Sequence, residues 1–408
     1  MQPLRVLHVT PYSAEAWAYG GIPRLSDALA RGLARRGHFV TLCATDVCDQ
    51  TSRLSTERNR AGGEARSSAH AAAGVTLRIF PNVSNRLAYR WQLFLPLGFG
   101  GFLKRSARAF DIAHLHACRN MPGVIAARHL RRAGVPYVLG PNGTALRIER
   151  RRAAKRLFDA ALGTRVLRGA SRVLAVSEAE RRQLGTIGVP PHRIRVVPNP
   201  VDLEEFDPPP ARGTFRRRIG IDASARVVLF LGQLTPRKRT DVLVRAFARL
   251  AARNSVGARL IIAGNDMGAG EAARRIARDV GVADRTLFTG LLRGRERLEA
   301  LADANVLVYP SQDEIFGLVP LESLLCGTPV VVADDSGCAE VVRTVGGGQT
   351  VPVGDVDALA WAIDSVLDGS DEWRARAVLA AAQVRERYAR DLICERLDDV
   401  YREVVASS

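Results

Sequence analysis

The residues best placed to do chemistry lie in the segment from Tyr309 to Glu322, which reads Y-P-S-Q-D-E-I-F-G-L-V-P-L-E. This pattern predicts the end of a strand, a loop and the start of a helix. Glu314 falls in the loop, and Glu322 falls about two turns into the helix, where its carboxylate can meet hydroxyl groups. Free N–H groups at a helix start attract an anion. The N–H groups in that position belong to Phe316, Gly317 and Leu318.

A second segment, F-L-G-Q-L-T-P-R-K from Phe230 to Lys238, follows a predicted strand and ends in cations. It is not the phosphate loop of an ATPase, because Arg237 stands where the second Gly is required and Arg239 where Ser or Thr should follow. The dinucleotide fingerprint G-x-G-x-x-G is absent after every predicted strand. A dehydrogenase and an ATPase are therefore both disfavoured.

Three further segments carry chemically suggestive residues. Gly20 to Arg24, G-G-I-P-R, follows the first predicted strand and opens a helix. Asp111 to His116, D-I-A-H-L-H, is a predicted strand in which alternation places His114 and His116 on the same side. Val197 to Asp202 reads V-P-N-P-V-D, a turn between two predicted halves of the chain.

These segments, in this order, resemble the motifs of glycosyltransferase family 4. The segment at Glu314 resembles its E-x7-E motif, and the segment ending at Lys238 resembles its G-R-L-x-P-x-K element. The other three resemble its glycine-rich turn, its D-x-V-H-x-H strand end and its P-N-G-V-D turn. The resemblance runs from Gly20 to the terminal helix. It implies the α/β GT-B architecture, two Rossmann-like doubly wound domains facing across a cleft, and a retaining transfer without metal or enzymic nucleophile.

The resemblance also implies roles for individual residues. Glu314 would hold hydroxyls of the donor sugar and Glu322 those of the ribose, while the amide of Gly21 approaches the donor phosphate. Lys238 would grip the donor pyrophosphate. A fixed cation there stabilises the charge that develops on the departing nucleoside diphosphate, so no metal is expected.

Two positions leave alternatives open. Gln233 stands where the family has an Arg, and its amide donates a hydrogen bond without a charge. Either Arg237 or Arg239 compensates in donor binding, or stabilisation of the leaving group is weaker. By resemblance, His116 lies beside the acceptor or the C6 hydroxyl of the sugar and is a catalytic candidate. A structural histidine is the competing interpretation, and for His114 it is the stronger one.

A basic helix is predicted from Arg147 to Arg168, with one apolar stripe that should be buried. Its basic face could contact an anionic membrane or a phosphorylated acceptor, or it could simply be solvated. The candidate contact residues are Arg147, Arg150 and Arg151. The stripe consists of Ala154, Leu157, Phe158, Ala161 and Leu162.

Composition limits the class of protein. The 408 residues include 59 Lys or Arg against 42 Asp or Glu, a net charge of +17 that favours anionic partners. The six cysteines are scattered, which indicates neither disulfides nor zinc and fits a cytoplasmic protein. Asp334 and Asp335 are adjacent, and adjacent carboxylates point apart on an extended chain, so no metal site is predicted. The N-terminus reads as a strand rather than a signal peptide, and the stretch Leu93 to Leu103 is too short to span a membrane.

Alternation of short apolar runs with amphipathic stretches predicts two Rossmann-like domains. The first, residues 1–205, should bind the acceptor and contain a mobile insertion at 46–74. The second, residues 206–370, should bind the sugar nucleotide, and residues 371–405 should pack back onto the first. The predicted strands are 5–10, 39–44, 75–80, 112–116, 137–140, 173–176, 194–197, 227–231, 260–263, 286–289, 306–309 and 330–333.

The function expected from the resemblance is hexosyl transfer from a UDP- or GDP-sugar to a glycan, a lipid-linked sugar or a polyol phosphate, in cell-surface polysaccharide or glycolipid synthesis. Peripheral contact with the inner face of a membrane is also expected. One alternative is a non-catalytic anion- or nucleotide-binding protein of the same fold. Another is a nucleotide-sugar epimerase or a phosphorylase. Nucleic acid is not an expected partner, because no basic motif is interleaved with aromatic residues.

Overall fold

The structure is a computed structural model that describes residues 2–54, 73–146, 152–253, 257–335 and 337–408. The chain divides into two compact units. The first comprises Met1–Pro200 and Arg390–Ser408, and the second comprises Val201–Ala389. The first division therefore follows Pro200, where the sequence predicts residue 205.

The first unit contains a seven-stranded parallel sheet with the strand order β3-β2-β1-β4-β5-β6-β7. Its two central strands, R-V-L-H-V and I-A-H-L-H, are buried almost throughout, as a parallel sheet covered by helices requires, although they include three histidines. In chain order the strands are β1 (Arg5–Val9), β2 (Phe39–Thr45), β3 (Val75–Phe80), β4 (Ile112–His116), β5 (Tyr137–Gly140), β6 (Arg172–Ala175) and β7 (Ile194–Val196).

In the described residues of this unit the helices are α1 (Gly21–Arg35), α2 (Asn85–Trp91), α3 (Phe99–Ser106), α4 (Met121–Ala133), α5 (Arg152–Phe158), α6 (Thr164–Gly169) and α7 (Glu178–Thr186). A π-helical turn, Asp159–Gly163, joins α5 to α6. The prediction of a buried apolar stripe here is wrong, because Leu157 is 74% exposed and Ala154 and Ala161 are exposed as well. The π-helical turn shifts the helical phase, so one unbroken 3.6-residue stripe does not form.

Part of the predicted insertion at 46–74 has a defined structure. Asp46 accepts hydrogen bonds from the backbone N–H of Asn82 at 2.8 Å and from the guanidinium of Arg53 at 2.9 Å. Asn85 donates from its side chain to the carbonyl of Ser52 at 2.9 Å. These bonds fasten residues 46–54 to the start of α2. Residues 55–72 lie outside the described part of the chain.

The second unit contains a six-stranded parallel sheet of the order β10-β9-β8-β11-β12-β13. The strands are β8 (Val227–Leu231), β9 (Arg259–Ala263), β10 (Thr286–Gly290), β11 (Val306–Tyr309), β12 (Val330–Ala333) and β13 (Gly348–Val351). The helices are α8 (Thr214–Arg218), α9 (Thr240–Ala252), α10 (Gly270–Asp279), α11 (Gly294–Asp303), α12 (Leu318–Leu325), α13 (Gly337–Val345), α14 (Val356–Asp368) and α15 (Ser370–Tyr388). Two Rossmann-like sheets confirm the predicted fold class.

The C-terminal segment is shared between the units. The sequence assigns residues 371–405 to the first domain, but helix α15 belongs to the second unit. Gly347 is the reason: it lets Ala380 and Leu324 approach so closely that a Cβ at 347 would lie 2.7 Å from each, and α15 thereby packs on α12. Helix α15 ends at Tyr388, and the next helix, α16 (Arg390–Ala406), packs on α1 in the first unit.

Candidate functional site

The strand order of the second sheet reverses between β8 and β11. These neighbours run parallel, with Val228 beside Val306 and Leu229 beside Leu307. Loops that leave two such strands turn to opposite faces of the sheet, so a crevice opens at their carboxyl ends, which is where open α/β sheets bind ligands. The loop after β8 carries Lys238, and the loop after β11 carries Glu314.

The loop after β8 is shaped by close backbone contacts. Gly232 donates its N–H to the carbonyl of Ala263 at 3.0 Å. A Cβ at Gly264 would lie 1.7 Å from the carbonyl oxygen of Gly232, so only glycine permits this approach. The chain then forms a single 3₁₀ turn, Pro236–Lys238, in which Lys238 donates its N–H to Thr235 at 3.0 Å. This turn directs the Lys238 side chain toward the neighbouring loop.

Lys238, Glu314 and Tyr309 form one compact cluster. The ammonium of Lys238 contacts a carboxylate oxygen of Glu314 and lies 2.5 Å from the hydroxyl of Tyr309. It also lies 4.5 Å from the centre of the Tyr309 ring, within cation–π range. The Tyr309 hydroxyl is 3.4 Å from the same oxygen of Glu314. The Lys238 and Glu314 side chains are 10% and 14% exposed, so both groups are constrained but reachable.

The charges in this cluster set the protonation states. Burial raises the pKa of Glu314, but the positive charges of Lys238 and Arg237 outweigh it, and the pKa lies below its ordinary value. Burial, and then the charge of Glu314, hold the pKa of Tyr309 well above its ordinary value. The cluster therefore presents an ionised carboxylate and a neutral phenol at neutral pH.

The loop that carries Glu314 is fixed by three backbone hydrogen bonds. Gln312 donates its N–H to the carbonyl of Arg237 at 2.9 Å, which joins the two loops directly. Asp313 donates its N–H to the carboxylate of Asp335 at 2.7 Å. Cys338 donates its N–H to the carbonyl of Glu314 at 2.8 Å. The position of Glu314 is thus set by the backbone as well as by its ion pair.

The start of α12 matches the predicted helix N-terminus. Its N-cap is Gly317 with φ +81°, and a Cβ there would lie 2.4 Å from the sulfur of Cys338. Phe316 packs its ring against Tyr388 with a centroid distance of 5.5 Å, so its side chain belongs to the core. Phe316 can therefore serve a ligand only through its backbone. The N–H groups of the first turn, beginning at Leu318, have no acceptor within the helix.

Glu322 does not join the Lys238 cluster. Its carboxylate is 2% exposed and accepts a hydrogen bond from the guanidinium of Arg297 at 2.9 Å. Arg297, itself 4% exposed, also pairs with Glu205. The two glutamates of the sequence motif thus occupy different ion pairs. Sequence reasoning missed both Arg297 and Glu205, because neither stands in a recognisable motif.

In the first unit, three histidines and a tyrosine form a buried polar cluster. His8 Nδ1 lies 3.0 Å from His116 Nε2, and His114 Nδ1 lies 2.7 Å from the hydroxyl of Tyr401 on α16. The same hydroxyl lies 3.4 Å from His8 Nε2. Burial lowers the pKa of His8 to about 3 and holds those of His114 and His116 well below their ordinary values. All three imidazoles are therefore neutral at physiological pH.

The three imidazoles are close enough to one another to raise the question of a metal ion. The rings of His114 and His116 are stacked, with centroids 4.1 Å apart and an angle of 19° between their planes. A metal lies along the lone pair in the plane of each imidazole, and near-parallel stacked planes do not converge on one point. We therefore interpret the cluster as a hydrogen-bonded polar core that also anchors α16.

Comparison with known proteins decides the family. The model of Glycosyltransferase Family 4 matches residues 19–205, and that of Glycosyl transferases group 1 matches residues 211–384. A D-inositol 3-phosphate glycosyltransferase of Frankia alni is 33% identical over 288 residues, 67% of this chain and 69% of the relative. The chain belongs to glycosyltransferase family 4. A second D-inositol 3-phosphate glycosyltransferase, from Acidothermus cellulolyticus, is 36% identical over 249 residues, 59% of this chain and 55% of the relative.

The match thus spans only about half the length of the Acidothermus relative. Among solved structures, Anabaena HepE in complex with UDP and glucose superimposes with a TM-score of 0.73 at 18% identity and covers 97% of this chain and 99% of its own. At that identity the likeness establishes the fold, which confirms the predicted GT-B class.

Within this family framework, the predicted site residues fall into three groups. The structure brings Lys238 and Glu314 together with the helix start at 316–318. It places Glu322 in a separate pair, and His116 in the buried cluster of the first unit, 1% exposed. Three positions that the sequence offers for acceptor or membrane contact lie outside the described residues: Arg147, Arg150 and Arg151.

Gly21 and Gln233 stand at two further positions of the family motifs. Gly21 is the exposed first residue of α1, after the N-cap Gly20 with φ +87°. Gln233, at the usual Arg position, is half-buried in the loop after β8. Of its two predicted substitutes, Arg239 pairs with Asp241 at 3.2 Å, whereas the charge of Arg237 reaches Glu314 and lowers its pKa. Arg237 is therefore the better placed of the two.

Proposed function

We propose that the protein is a retaining, metal-independent glycosyltransferase that moves a hexosyl unit from a UDP- or GDP-sugar to a hydroxyl of a glycan, a lipid-linked sugar or a polyol phosphate. The observation that carries this proposal is the pairing of Lys238 with Glu314 at the strand-order reversal of the second sheet. The printed ligands of Anabaena HepE, UDP and glucose, support a nucleotide-sugar donor. The D-inositol 3-phosphate glycosyltransferases among the relatives support a polyol phosphate as acceptor.

In the proposed reaction, the acceptor oxygen bonds to the anomeric carbon as the bond from that carbon to the diphosphate oxygen breaks. Attack and departure share one face of the sugar, so the anomeric configuration is retained. The departing diphosphate takes the proton of the acceptor hydroxyl. The products are a glycoside and a nucleoside diphosphate, and no covalent enzyme intermediate forms.

Each residue has a defined part in this proposal. Donor binding would turn the ammonium of Lys238 toward the diphosphate, where it stabilises the developing negative charge. Glu314 would accept hydrogen bonds from hydroxyls of the sugar, and the N–H groups at 316–318 would approach the phosphates. Gly21, Gln233 and Glu322 remain proposed donor contacts, the last to the ribose.

The role of His116 and the place of the reaction in the cell are also proposals. His116 would act near the acceptor or the C6 hydroxyl of the sugar, through the polar network that it forms with His8. We propose a role in cell-surface polysaccharide or glycolipid synthesis, with peripheral membrane contact through Arg147, Arg150 and Arg151 of the basic stretch 147–168. Among the described residues, none of the helices combines the length and the hydrophobicity that a transmembrane span requires.

The test is nucleotide release from a panel of UDP- and GDP-sugars in the presence of membrane lipid extract, with and without EDTA. We expect release with one donor that requires the acceptor and survives EDTA. Retention is checked by the anomeric coupling of the purified product. Strict metal dependence would contradict the metal-independent mechanism. Absence of release with every donor, in wild type as in Glu314→Ala, would favour the non-catalytic alternative.

A further inference from the structure

Exposed apolar side chains are concentrated in one short segment of the first unit. Among the residues that the structure describes, thirteen large apolar side chains are exposed, and five of them fall between residues 83 and 97. Single exposed apolar residues are ordinary, but such a concentration marks an interaction surface. We call these five the 83–97 surface: Val83 51%, Leu87 37%, Trp91 54%, Leu93 36% and Leu97 56% exposed.

The backbone holds these residues in one structure. Val83 donates its N–H to the carbonyl of Leu95 at 3.1 Å, and Leu97 donates to Pro81 at 2.8 Å. These bonds make a short antiparallel pair in which the side chains of Val83 and Leu97 share a face. Leu93 donates to the carbonyl of Leu87 at 3.3 Å, which brings the chain after α2 back against the helix. These bonds hold the backbone around Val83, Leu87, Leu93 and Leu97 in a defined arrangement.

The opposite side of the same segment is anchored in the core. Ala88 is 0% and Phe94 is 1% exposed, and both belong to a buried cluster with Tyr12 and Tyr19. Phe94 makes edge contacts with the rings of both tyrosines, at 5.1 Å and 5.6 Å between centroids. The exposed side chains are thus presented by a rigid base, and their exposure is a property of the fold.

The charge of the residues around the 83–97 surface indicates which kind of partner it binds. Residues 73–110 contain no Asp or Glu and six Lys or Arg. Arg86 lies on the exposed side of α2 next to Leu87, and Lys104 and Arg105 are exposed at the end of α3. Exposed Trp and Leu between cations suit the boundary between lipid headgroups and acyl chains, where anionic lipids attract the cations. A protein partner would need acidic residues spread along its own surface to pair with the cations of this acid-free stretch.

We infer that the 83–97 surface docks on an anionic phospholipid bilayer. Trp91, Leu87 and Leu97 enter the headgroup boundary, and Arg86 meets lipid phosphates. This contact does not depend on the proposed catalytic activity, and its residues lie outside the basic stretch 147–168.

The test measures sedimentation of the full chain with vesicles of phosphatidylcholine alone and with vesicles that also contain phosphatidylglycerol. We expect binding to the anionic vesicles at least about tenfold tighter than to the neutral ones, weakened by salt. Arg86→Glu and the double variant Leu87→Ser/Leu97→Ser should each weaken binding about tenfold or more. Arg275→Glu, an exposed arginine of the second unit, is the matched control for charge and should bind like wild type.

Tryptophan fluorescence locates the contact. Trp361, 63% exposed on α14 of the second unit, is the matched control for Trp91. The blue shift that vesicles cause should be lost in Trp91→Phe and kept in Trp361→Phe. Circular dichroism confirms folding of each variant.

Three results would overturn the inference. The first is failure of wild type to bind anionic vesicles, and the second is undiminished binding by Leu87→Ser/Leu97→Ser. The third is self-association of wild type in ultracentrifugation that this double variant abolishes, because the surface would then belong to a second copy of the chain.

Discussion

At the scale of single residues, the ion pairs of the second unit separate two tasks that the sequence motif presents together. Glu314 pairs with Lys238 near the surface, whereas Glu322 pairs with Arg297 in the interior. The side chains of the first pair are 10% and 14% exposed, so a ligand can reach them. The second pair is buried, where an unpaired charge would lower the free energy of unfolding, so the pair stabilises the fold around α11 and α12.

Replacement of Arg297 by Leu should therefore destabilise the protein strongly. The Glu322 carboxylate would stay buried without that guanidinium, and the free energy of unfolding should fall by about 3–5 kcal/mol in urea titrations. Arg275→Leu, at an exposed position, is the control and should change it by less than about 0.5 kcal/mol. Addition of Glu322→Leu to Arg297→Leu should restore much of the loss. Unchanged stability of the single variant would show that the pair is not structural.

The sequence predicted the residues whose motifs are local and missed those that act through tertiary contacts. Lys238 and Glu314 stand at fixed distances after strands, so their loops and their proximity follow from the strand order. Tyr309 lies in the same motif segment as Glu314, but the contact of its hydroxyl with Lys238 depends on the fold. Arg297 precedes Glu322 by 25 residues and Glu205 precedes Arg297 by 92. No local pattern connects such partners.

At the scale of elements, twelve strand predictions correspond to β1–β12, and β13 was missed. The buried strands are apolar runs, which single-sequence reasoning finds easily. Strand β13 reads G-Q-T-V, lies at the edge of the sheet and is only partly buried, so it lacks that signal. The sequence also assigns residues 371–405 as one piece to the first domain, whereas α15 lies in the second unit. Only packing against Gly347 and α1 shows that α15 and α16 are separate.

The start of α7 provides a pH-dependent element. Ser177 caps the helix by accepting the N–H of Glu180 at 3.1 Å, and the carboxylate of Glu180 accepts the N–H of Val176, the residue before the cap, at 2.9 Å. Burial raises the pKa of Glu180 from 4.5 to about 7, although hydrogen bonds from Gly143 and Val176 act against it. Between pH 4.5 and about pH 7, Glu180 is therefore protonated in the folded state and ionised in the unfolded state.

Because the pKa is raised on folding, the stabilisation is complete below pH 4.5 and is lost as the pH rises through about 7. The free energy of unfolding of wild type, measured relative to Glu180→Gln, should fall across this interval by up to about 3 kcal/mol. The comparison with Glu180→Gln is needed because the buried histidines act in the opposite direction and are common to both proteins. A pH-independent difference between the two would contradict this account.

At the scale of the whole molecule, the chain leaves the first unit at Pro200 and returns to it at Arg390. Helix α16 completes the first unit by burying Ile393, Leu397 and Tyr401 in the same apolar cluster as β1 and α1. Its polar anchor is the Tyr401 hydroxyl beside His8 and His114. Such a return after nearly 200 residues can be expected from the family resemblance, but not from the composition or periodicity of the segment.

Tyr401→Phe should leave His114 Nδ1 buried without its partner and lower the free energy of unfolding by about 1–3 kcal/mol. Tyr19→Phe is the matched control, because Tyr19 is a buried tyrosine of the same unit whose hydroxyl has no hydrogen-bond partner among the described residues. That substitution should be nearly neutral. Equal effects of the two substitutions in urea titrations would refute the anchor.

The central claim is that Lys238 stabilises the departing nucleoside diphosphate, and initial rates of nucleotide release test it most directly. Lys238→Ala should lower kcat by about 10²–10³. Arg275→Ala, at an exposed arginine of α10, should stay within about twofold of wild type, since the proposed mechanism gives this residue no part. Lys238→Arg, which keeps the charge, should recover part of the rate, and circular dichroism excludes misfolding. Release by Lys238→Ala at the rate of wild type would contradict the account.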